Sequence, residues 1–116
     1  MEDAAAGAIM AARIAKDSKA SNVVVMDLRD ISYVTDYFVI GSGDSELQVQ
    51  SIARKVKEIM DDSGMELMGL EGYNNARWVL LDYGNVLIHI FHKDARDLYN
   101  LERLWGDAVT LEYDSV

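Results

Sequence analysis

A nearly continuous apolar segment at residues 36–40 (DYFVI) is the strongest constraint on how this chain can fold. Successive side chains of a strand point to opposite faces of a sheet, so a strand that is apolar at almost every position is buried on both faces. Residues 86–91 (VLIHIF) form a second apolar strand, interrupted by His89. These segments predict a layered fold in which helices cover a central sheet.

The remaining elements follow from periodicity and from end signals. Residues 2–19 are rich in alanine and have helical spacing, and Ser45 and Gln48 form a capping box for a helix that ends at Gly64. A last helix is predicted from Asp94 to about Trp105. Further strands are predicted at residues 23–28, 65–70 and 77–83.

The predicted order is therefore α-β-β-α-β-β-β-α. It corresponds to an α/β (α+β) fold with a single mixed β-sheet of about five strands packed with three helices. Nothing marks a domain boundary, so residues 1–116 are expected to form one domain. Residues 107–116 carry three acids and no base, and we expect them to form an acidic, frayed C-terminal tail.

Two local patterns refine these elements. The dipeptide Gly84-Asn85 between two predicted strands suits a two-residue hairpin turn with positive φ. In the last helix, Leu98, Leu101 and Trp105 have the spacing of a buried stripe. Tyr99, Glu102 and Arg103 would then lie opposite that stripe, a position that is usually only solvated.

Charge and cysteine content exclude several classes of function. The chain has 20 acidic and 11 basic residues, a formal charge of −9, and no cysteine. Such a domain is repelled by phosphate, so we expect no direct nucleic-acid binding and a basic partner instead. Disulfides, thiolate metal sites and cysteine catalysis are excluded, which agrees with a cytoplasmic location. No segment is long and apolar enough to suggest a membrane helix.

The motif Gly41-Ser42-Gly43 is the one candidate for an enzymatic site. It joins a predicted strand to a helix start, where free backbone amides can hold phosphate. This reading gives the alternative function, a nucleotide-binding or nucleotidyltransferase-like enzyme. However, Asp44 and Glu46 place negative charge at the same point, which favours a tight turn with a helix cap.

Other ligands for a catalytic metal are not apparent. Two-metal chemistry needs paired carboxylates, and no acid-x-acid pair falls within a predicted strand. His89 is interpreted as a residue of the core or of a sheet face, and His92 as a solvated residue at a strand end. Because they are three residues apart on a strand, they point to opposite faces and do not chelate one metal easily. We therefore expect no metal and no cofactor.

The strand at residues 77–83 has two possible interpretations. Alternation places Trp78, Leu80 and Asp82 on one face, and Val79, Leu81 and Tyr83 on the other. If the first face is uncovered, an aromatic, an aliphatic and an acidic side chain together form a protein-binding hot spot. If both faces are covered, the strand belongs to the core.

Several motifs in order along the chain resemble the ribosomal silencing factor family, also called RsfS or Iojap. They are TDYFVIGSG at residues 35–43, QVQSIA at 48–53, EG at 71–72, RWVLLDYGNVLIHIF at 77–91 and RxxYxLExLW at 96–105. Together they span most of the chain, from about residue 27 to residue 107. The first helix and the last residues match only in character.

The resemblance implies a non-enzymatic protein with a nucleotidyltransferase-like topology that forms a homodimer when free. Such a protein binds the large ribosomal subunit, on the ribosomal protein conventionally numbered fourteen, and sterically blocks joining of the small subunit. Translation is thereby repressed during starvation or stationary phase. Within the matched motifs, the expected ribosomal-protein-binding residues are Trp78, Asp82, Tyr83, Arg96, Tyr99 and Glu102. Whether Trp78 or Tyr83 faces the partner stays open, since the two lie on opposite faces.

Overall fold

The computed structural model describes residues 4–113 of the chain. Two long helices and two long strands make up the first half, and the second half is built mainly of strands. In chain order the elements are α1 (Ala4–Asp17), β1 (Ser21–Asp27), β2 (Tyr37–Gly43), α2 (Glu46–Asp62), β3 (Gly69–Glu71), β4 (Trp78–Asp82), β5 (Val86–His92), α3 (Lys93–Tyr99), α4 (Leu101–Leu104) and β6 (Val109–Leu111). The predicted helix start at residues 2 and 3 lies outside the described residues.

The strands form one mixed sheet in the order β3-β4-β5-β2-β1-β6. The central pair, β2 and β5, is parallel, with Tyr37 opposite Val86, and the other pairs are antiparallel. All seven residues of β2 are buried. The predicted α+β class and the central position of this strand are thus confirmed, although the sheet has six strands rather than about five.

One face of the sheet, the rear face, is covered by α1 and α2. The predicted capping box is present, since the Gln48 N–H donates to the Ser45 hydroxyl over 3.1 Å and the Gln48 side chain accepts from the Asp44 N–H. From this start, α2 runs along the sheet to Asp62, and Gly64, whose φ is +97°, follows its C-cap Ser63. The two helices bury a continuous apolar core against the inward side chains of β1, β2, β4 and β5, among them Val25, Val39, Leu81, Ile88 and Ile90.

The opposite face, the front face, is covered only in part by α3 and α4. The strand residues on it are Val24, Met26, Phe38, Ile40, Trp78, Leu80, Asp82, Leu87, His89 and Phe91, as the register requires. A smaller core forms where Ala95 and Leu101 pack onto Phe38, Ile40 and Phe91. The rest of this face, towards β4, is left without a covering helix.

The last helix was predicted as one segment, which is wrong. Asn100 has the left-handed φ of 47° and separates α3 from α4, and its side chain accepts the N–H of Arg103 at the new helix start. The break rotates the two segments relative to each other. Leu98 is consequently 74% exposed, whereas Leu101 is buried, so the expected stripe does not form as one surface.

Residues 107–116 were predicted to form a frayed tail; residues 114–116 lie outside the described residues, and the part before them differs from the prediction. Residues 109–111 form β6, which pairs antiparallel with β1, Met26 lying opposite Thr110. Tyr113 then donates its hydroxyl to the Val23 carbonyl over 2.8 Å. This segment adds the sixth strand and covers part of the β1 edge.

The β4–β5 connection has the predicted two-residue turn. The Tyr83 N–H donates to the Val86 carbonyl over 3.0 Å, and Gly84 has a φ of +84°. Asn85 does not have a positive φ, so only the first turn position requires glycine. This turn fixes the register of the hairpin, and with it the side chains that meet on each face.

Candidate functional site

The uncovered part of the front face lies around β4. Trp78, Leu80 and Asp82 share this face as the alternation predicted, and each is half-buried. Leu87 of β5 lies opposite Asp82 and is half-buried too. We call these four residues, together with the neighbouring Tyr99, the β4 patch. It combines aromatic and aliphatic side chains with one carboxylate, the composition of a protein-binding hot spot.

Trp78 is the largest side chain of the β4 patch, and aromatic rings surround it. Its centroid lies 4.7 Å from the ring of Tyr99 and 5.0 Å from that of Phe91, both in tilted arrangements. Tyr99, at the end of α3, is itself 51% exposed. An aromatic pair of this kind presents a broad apolar surface that is held in place by its neighbours.

His89 lies beneath Trp78 on the front face and is buried. The indole Nε1–H donates to His89 Nδ1 over 3.0 Å, and Phe38 packs edge-on against the imidazole with centroids 4.5 Å apart. Burial lowers the pKa of His89 to about 4 because the charged form loses its hydration. The imidazole is therefore neutral at physiological pH.

His92 was expected to be solvated, which is wrong. It is 8% exposed, and its Nδ1 accepts the Asp94 N–H over 3.2 Å, so His92 caps α3. The expected helix cap, Asp94, is instead the second residue of α3. The two histidines hence have separate structural surroundings, one under Trp78 and one at a helix start.

Asp82 supplies the acidic group of the β4 patch. One carboxylate oxygen accepts the Gly84 N–H over 2.8 Å, which ties the side chain to the hairpin turn. Because the carboxylate is half-buried and held by the backbone, it is a fixed negative charge beside apolar surface. Such a group can pair with a lysine or arginine of a partner.

Tyr83, by contrast, lies on the rear face. It is 6% exposed, and its hydroxyl donates to an Asp61 carboxylate oxygen over 3.0 Å. Burial raises the pKa of this phenol, and the neighbouring Asp61 charge raises it further. Of the two aromatics left open by the sequence, Trp78 is thus the one at the surface of the front face, and Tyr83 is part of the α2 packing.

Arg96 and Glu102 pair with each other across the break between α3 and α4. The guanidinium donates to both carboxylate oxygens, at 3.1 and 2.9 Å, and also to the Ser42 hydroxyl at 2.9 Å. Arg96 is 7% exposed. These bonds connect α3, α4 and β2, so both side chains are engaged within the protein, although Glu102 remains partly exposed.

The segment Gly41-Ser42-Gly43 was predicted to be a turn, which is wrong. It is the buried end of β2, in register with Ile90, Phe91 and His92 of β5. Gly43 is required there because a Cβ atom would lie 2.9 Å from the side chain of Val49. Gly43 therefore permits close packing of α2 on the strand, and the loop of free amides that the alternative function requires is not formed.

A polar cleft of about 800 Å³ lies where β2 and β5 end, the usual ligand position in sheets with parallel strands. Its charged lining residues are Asp44, Lys93, Arg96, Asp97 and Glu102. Acidic groups outnumber basic ones, and the guanidinium of Arg96 is already paired. This electrostatic balance disfavours a phosphate ligand.

Two further kinds of feature are absent from residues 4–113, the part of the chain that the structure describes. Within that part of the chain, no group of three or more histidine and acidic side chains is arranged to hold a metal ion. None of its helices has the length and apolarity needed to cross a membrane.

Known proteins provide an independent comparison. A profile of the family described as "RsfS: Ribosomal silencing factor during starvation" matches residues 1–116. The ribosomal silencing factor RsfS of Halalkalibacterium halodurans is 49% identical over 107 residues, which cover 92% of each chain. That of Bacillus subtilis is 47% identical over 105 residues, covering 90% of this chain and 89% of the relative.

A solved structure from Chromobacterium violaceum superimposes with a TM-score of 0.88 at 25% identity. The match covers 99% of this chain and 95% of that one. Sequence profile, close relatives and fold agree over nearly the full length. The chain therefore belongs to the ribosomal silencing factor family.

Proposed function

We propose that this protein binds the large ribosomal subunit through the β4 patch and so prevents the small subunit from joining. The partner is the ribosomal protein conventionally numbered fourteen, and the result is repression of translation during starvation or stationary phase. The observation that supports this most is the half-covered front face. There Trp78, Tyr99 and Asp82 place aromatic area beside a fixed carboxylate.

The charge of the protein supports a basic protein partner within an RNA-rich particle. At a formal charge of −9, the domain is repelled by RNA phosphates and attracted to a basic protein surface. Electrostatics then increases the rate of productive encounter and disfavours other orientations. Asp82 would pair with a lysine or arginine at the centre of such a contact.

The same proposal defines how the protein acts. It acts by steric exclusion and not by catalysis, as one domain spanning residues 1–116, without cofactor, in the cytoplasm. It is a homodimer when free and binds neither membrane nor nucleic acid directly. Trp78, Asp82 and Tyr99 form the contact, while Tyr83, Arg96 and Glu102 support it from within by holding α2, α3 and α4 in place.

Sedimentation with purified ribosomal subunits tests the proposal directly. The protein should pellet with large subunits and not with small ones, and at saturating concentration it should reduce the fraction of joined ribosomes. If it fails to pellet with large subunits and leaves joining unchanged, the proposal is wrong.

The charge reversal Asp82→Lys tests whether the β4 patch is the contact. We expect large-subunit binding to weaken about tenfold or more, because an attractive ion pair becomes repulsive. Asp62→Lys is the matched control, since Asp62 is an exposed acid at the end of α2, behind the sheet. Equal effects of the two variants would indicate that net charge, and not the β4 patch, determines binding.

A further inference from the structure

The bond between Trp78 and His89 determines the state of both rings. An indole N–H can only donate, so His89 Nδ1 must be the acceptor over the observed 3.0 Å. The neutral imidazole carries its single proton on the other nitrogen, Nε2. The interaction thus fixes the tautomer of His89 and gives the Trp78 ring one preferred orientation.

This arrangement costs the fold stability. Among residues 4–113, His89 Nε2 has no hydrogen-bond partner although it is fully buried. Burial removes the hydrogen bonds of this N–H donor to water, and no protein acceptor replaces them, so the folded state is destabilised. Leucine or phenylalanine would fill the same space without the unpartnered Nε2–H, but neither would accept the indole N–H of Trp78. Packing alone therefore does not account for a histidine at this position.

What the histidine provides is control over Trp78. Tyr99 and Phe91 lie against the indole at centroid distances of 4.7 and 5.0 Å, but ring contacts alone permit a flipped indole. The acceptor beneath it distinguishes the two ring orientations. In only one of these orientations does the indole N–H donate to His89 while the outer edge of the ring stays free to contact a partner.

We infer that His89 is a positioning residue for docking, holding the indole of Trp78 from beneath in the orientation that a basic protein partner recognises. The inference rests on the proposed function of the β4 patch and extends it to a residue that no partner touches. His89 thus contributes to the affinity for the partner through Trp78, without touching the partner.

Two variants separate positioning from packing. His89→Leu removes the acceptor and also the unpartnered donor, whereas His89→Asn keeps an oxygen acceptor near the position of Nδ1. For each variant and the parent protein, urea unfolding gives the stability, and sedimentation with large ribosomal subunits gives the affinity. The indole N–H resonance of Trp78 in a ¹H–¹⁵N spectrum reports the hydrogen bond, with Trp105→Phe used for assignment.

We expect binding to change without a matching change in stability. His89→Leu removes the unpartnered Nε2–H but also the acceptor of the Trp78 N–H, so its stability should stay close to that of the parent protein, yet it should bind large subunits about tenfold more weakly and show a shifted Trp78 resonance. His89→Asn should be less stable than His89→Leu, yet should recover most of the binding.

Two results would overturn the inference while leaving the proposed function intact. In the first, His89→Leu binds like the parent protein although the Trp78 resonance has moved. In the second, both variants lose binding only in proportion to lost stability, as a packing role requires. If the unmodified protein does not bind large subunits at all, the proposed function itself fails, which is a distinct outcome.

Discussion

Trp78 begins β4 and Tyr83 directly follows its last residue, and the two aromatic side chains have different surroundings. Tyr83 is buried on the rear face, with its hydroxyl on Asp61 and its ring against α2. Trp78 lies half-exposed on the front face, with its N–H on His89. One aromatic completes the core, and the other leaves part of its ring available.

The comparison extends to the whole of β4. Val79 and Leu81 on the rear face are fully buried, while Leu80 between them is only half-buried on the front face. The rear face of β4 is thus fully covered and its front face is not, so the side chains that stabilise the fold and those available for binding lie on opposite faces. Substitutions on its rear face should change the free energy of unfolding, and those on its front face should change affinity.

The largest predicted effect is a loss of unfolding free energy in acid, and it comes from His89, which is buried on the front face. Its pKa is about 4 in the folded protein and near 6.5 when unfolded. Between these pH values the unfolded state binds more protons, so stability falls as the pH is lowered from 6.5 towards 4. The shift corresponds to about 3 kcal/mol of unfolding free energy.

Urea unfolding at pH 7 and pH 4, on the parent protein and on His89→Leu, measures this contribution. Carboxylates such as Asp61, whose pKa is lowered by a hydrogen bond from Lys57, are protonated in acid, and this lowers the stability of both proteins. The parent protein should therefore lose about 3 kcal/mol more than the variant. Equal losses would show that His89 is not the source.

Trp78→Ala should produce the next largest effect, and it should appear in binding. Truncating a central aromatic of an interface typically costs about 2 kcal/mol, or roughly 30-fold in affinity for large subunits. The circular dichroism spectrum should stay native, because the rear core is untouched. If the variant instead unfolds, Trp78 is a core residue and the contrast between the two faces is wrong.

Leu81→Ala is the matched control for that experiment, on the same strand but on the rear face. Leu81 is fully buried, so its truncation should lower the unfolding free energy strongly. The fraction of molecules that stays folded should bind large subunits as before.

Tyr83→Phe should produce the smallest effect. It removes only the hydroxyl that donates to Asp61, and the expected loss is about 1 kcal/mol of unfolding free energy. Large-subunit binding should not change. A clear loss of binding by this variant would mean that the partner reaches the rear face, contrary to the proposed division.

Local sequence patterns predicted the layered fold well because the governing interactions are local. The cap at Ser45, the stop at Gly64 and the two-residue turn at Gly84 each depend on neighbouring residues. Several errors arose where packing between elements, and not the local pattern, decides the structure. Gly43 was read as a turn because its reason for being glycine, Val49 of α2, is a packing contact.

The site was predictable in part. Alternation along β4 placed Trp78 and Asp82 together, and counting outward from the hairpin turn would have placed His89 opposite Leu80 as well. The role of Arg96 was not predictable, since it depends on Ser42, which lies 54 positions away along the chain. Tyr99 reached the β4 patch only because Asn100 ends α3 beside it.

The parallel pairing at the centre of the sheet has a consequence for how the protein forms. Because Tyr37 lies opposite Val86, the two innermost strands come from distant parts of the chain. Contacts of such long sequence separation slow folding, since a large loop must close before they form. A ribosome making this protein must therefore synthesise most of it before the core can close, and until then the apolar β2 has only β1 as a partner and its other edge stays unpaired.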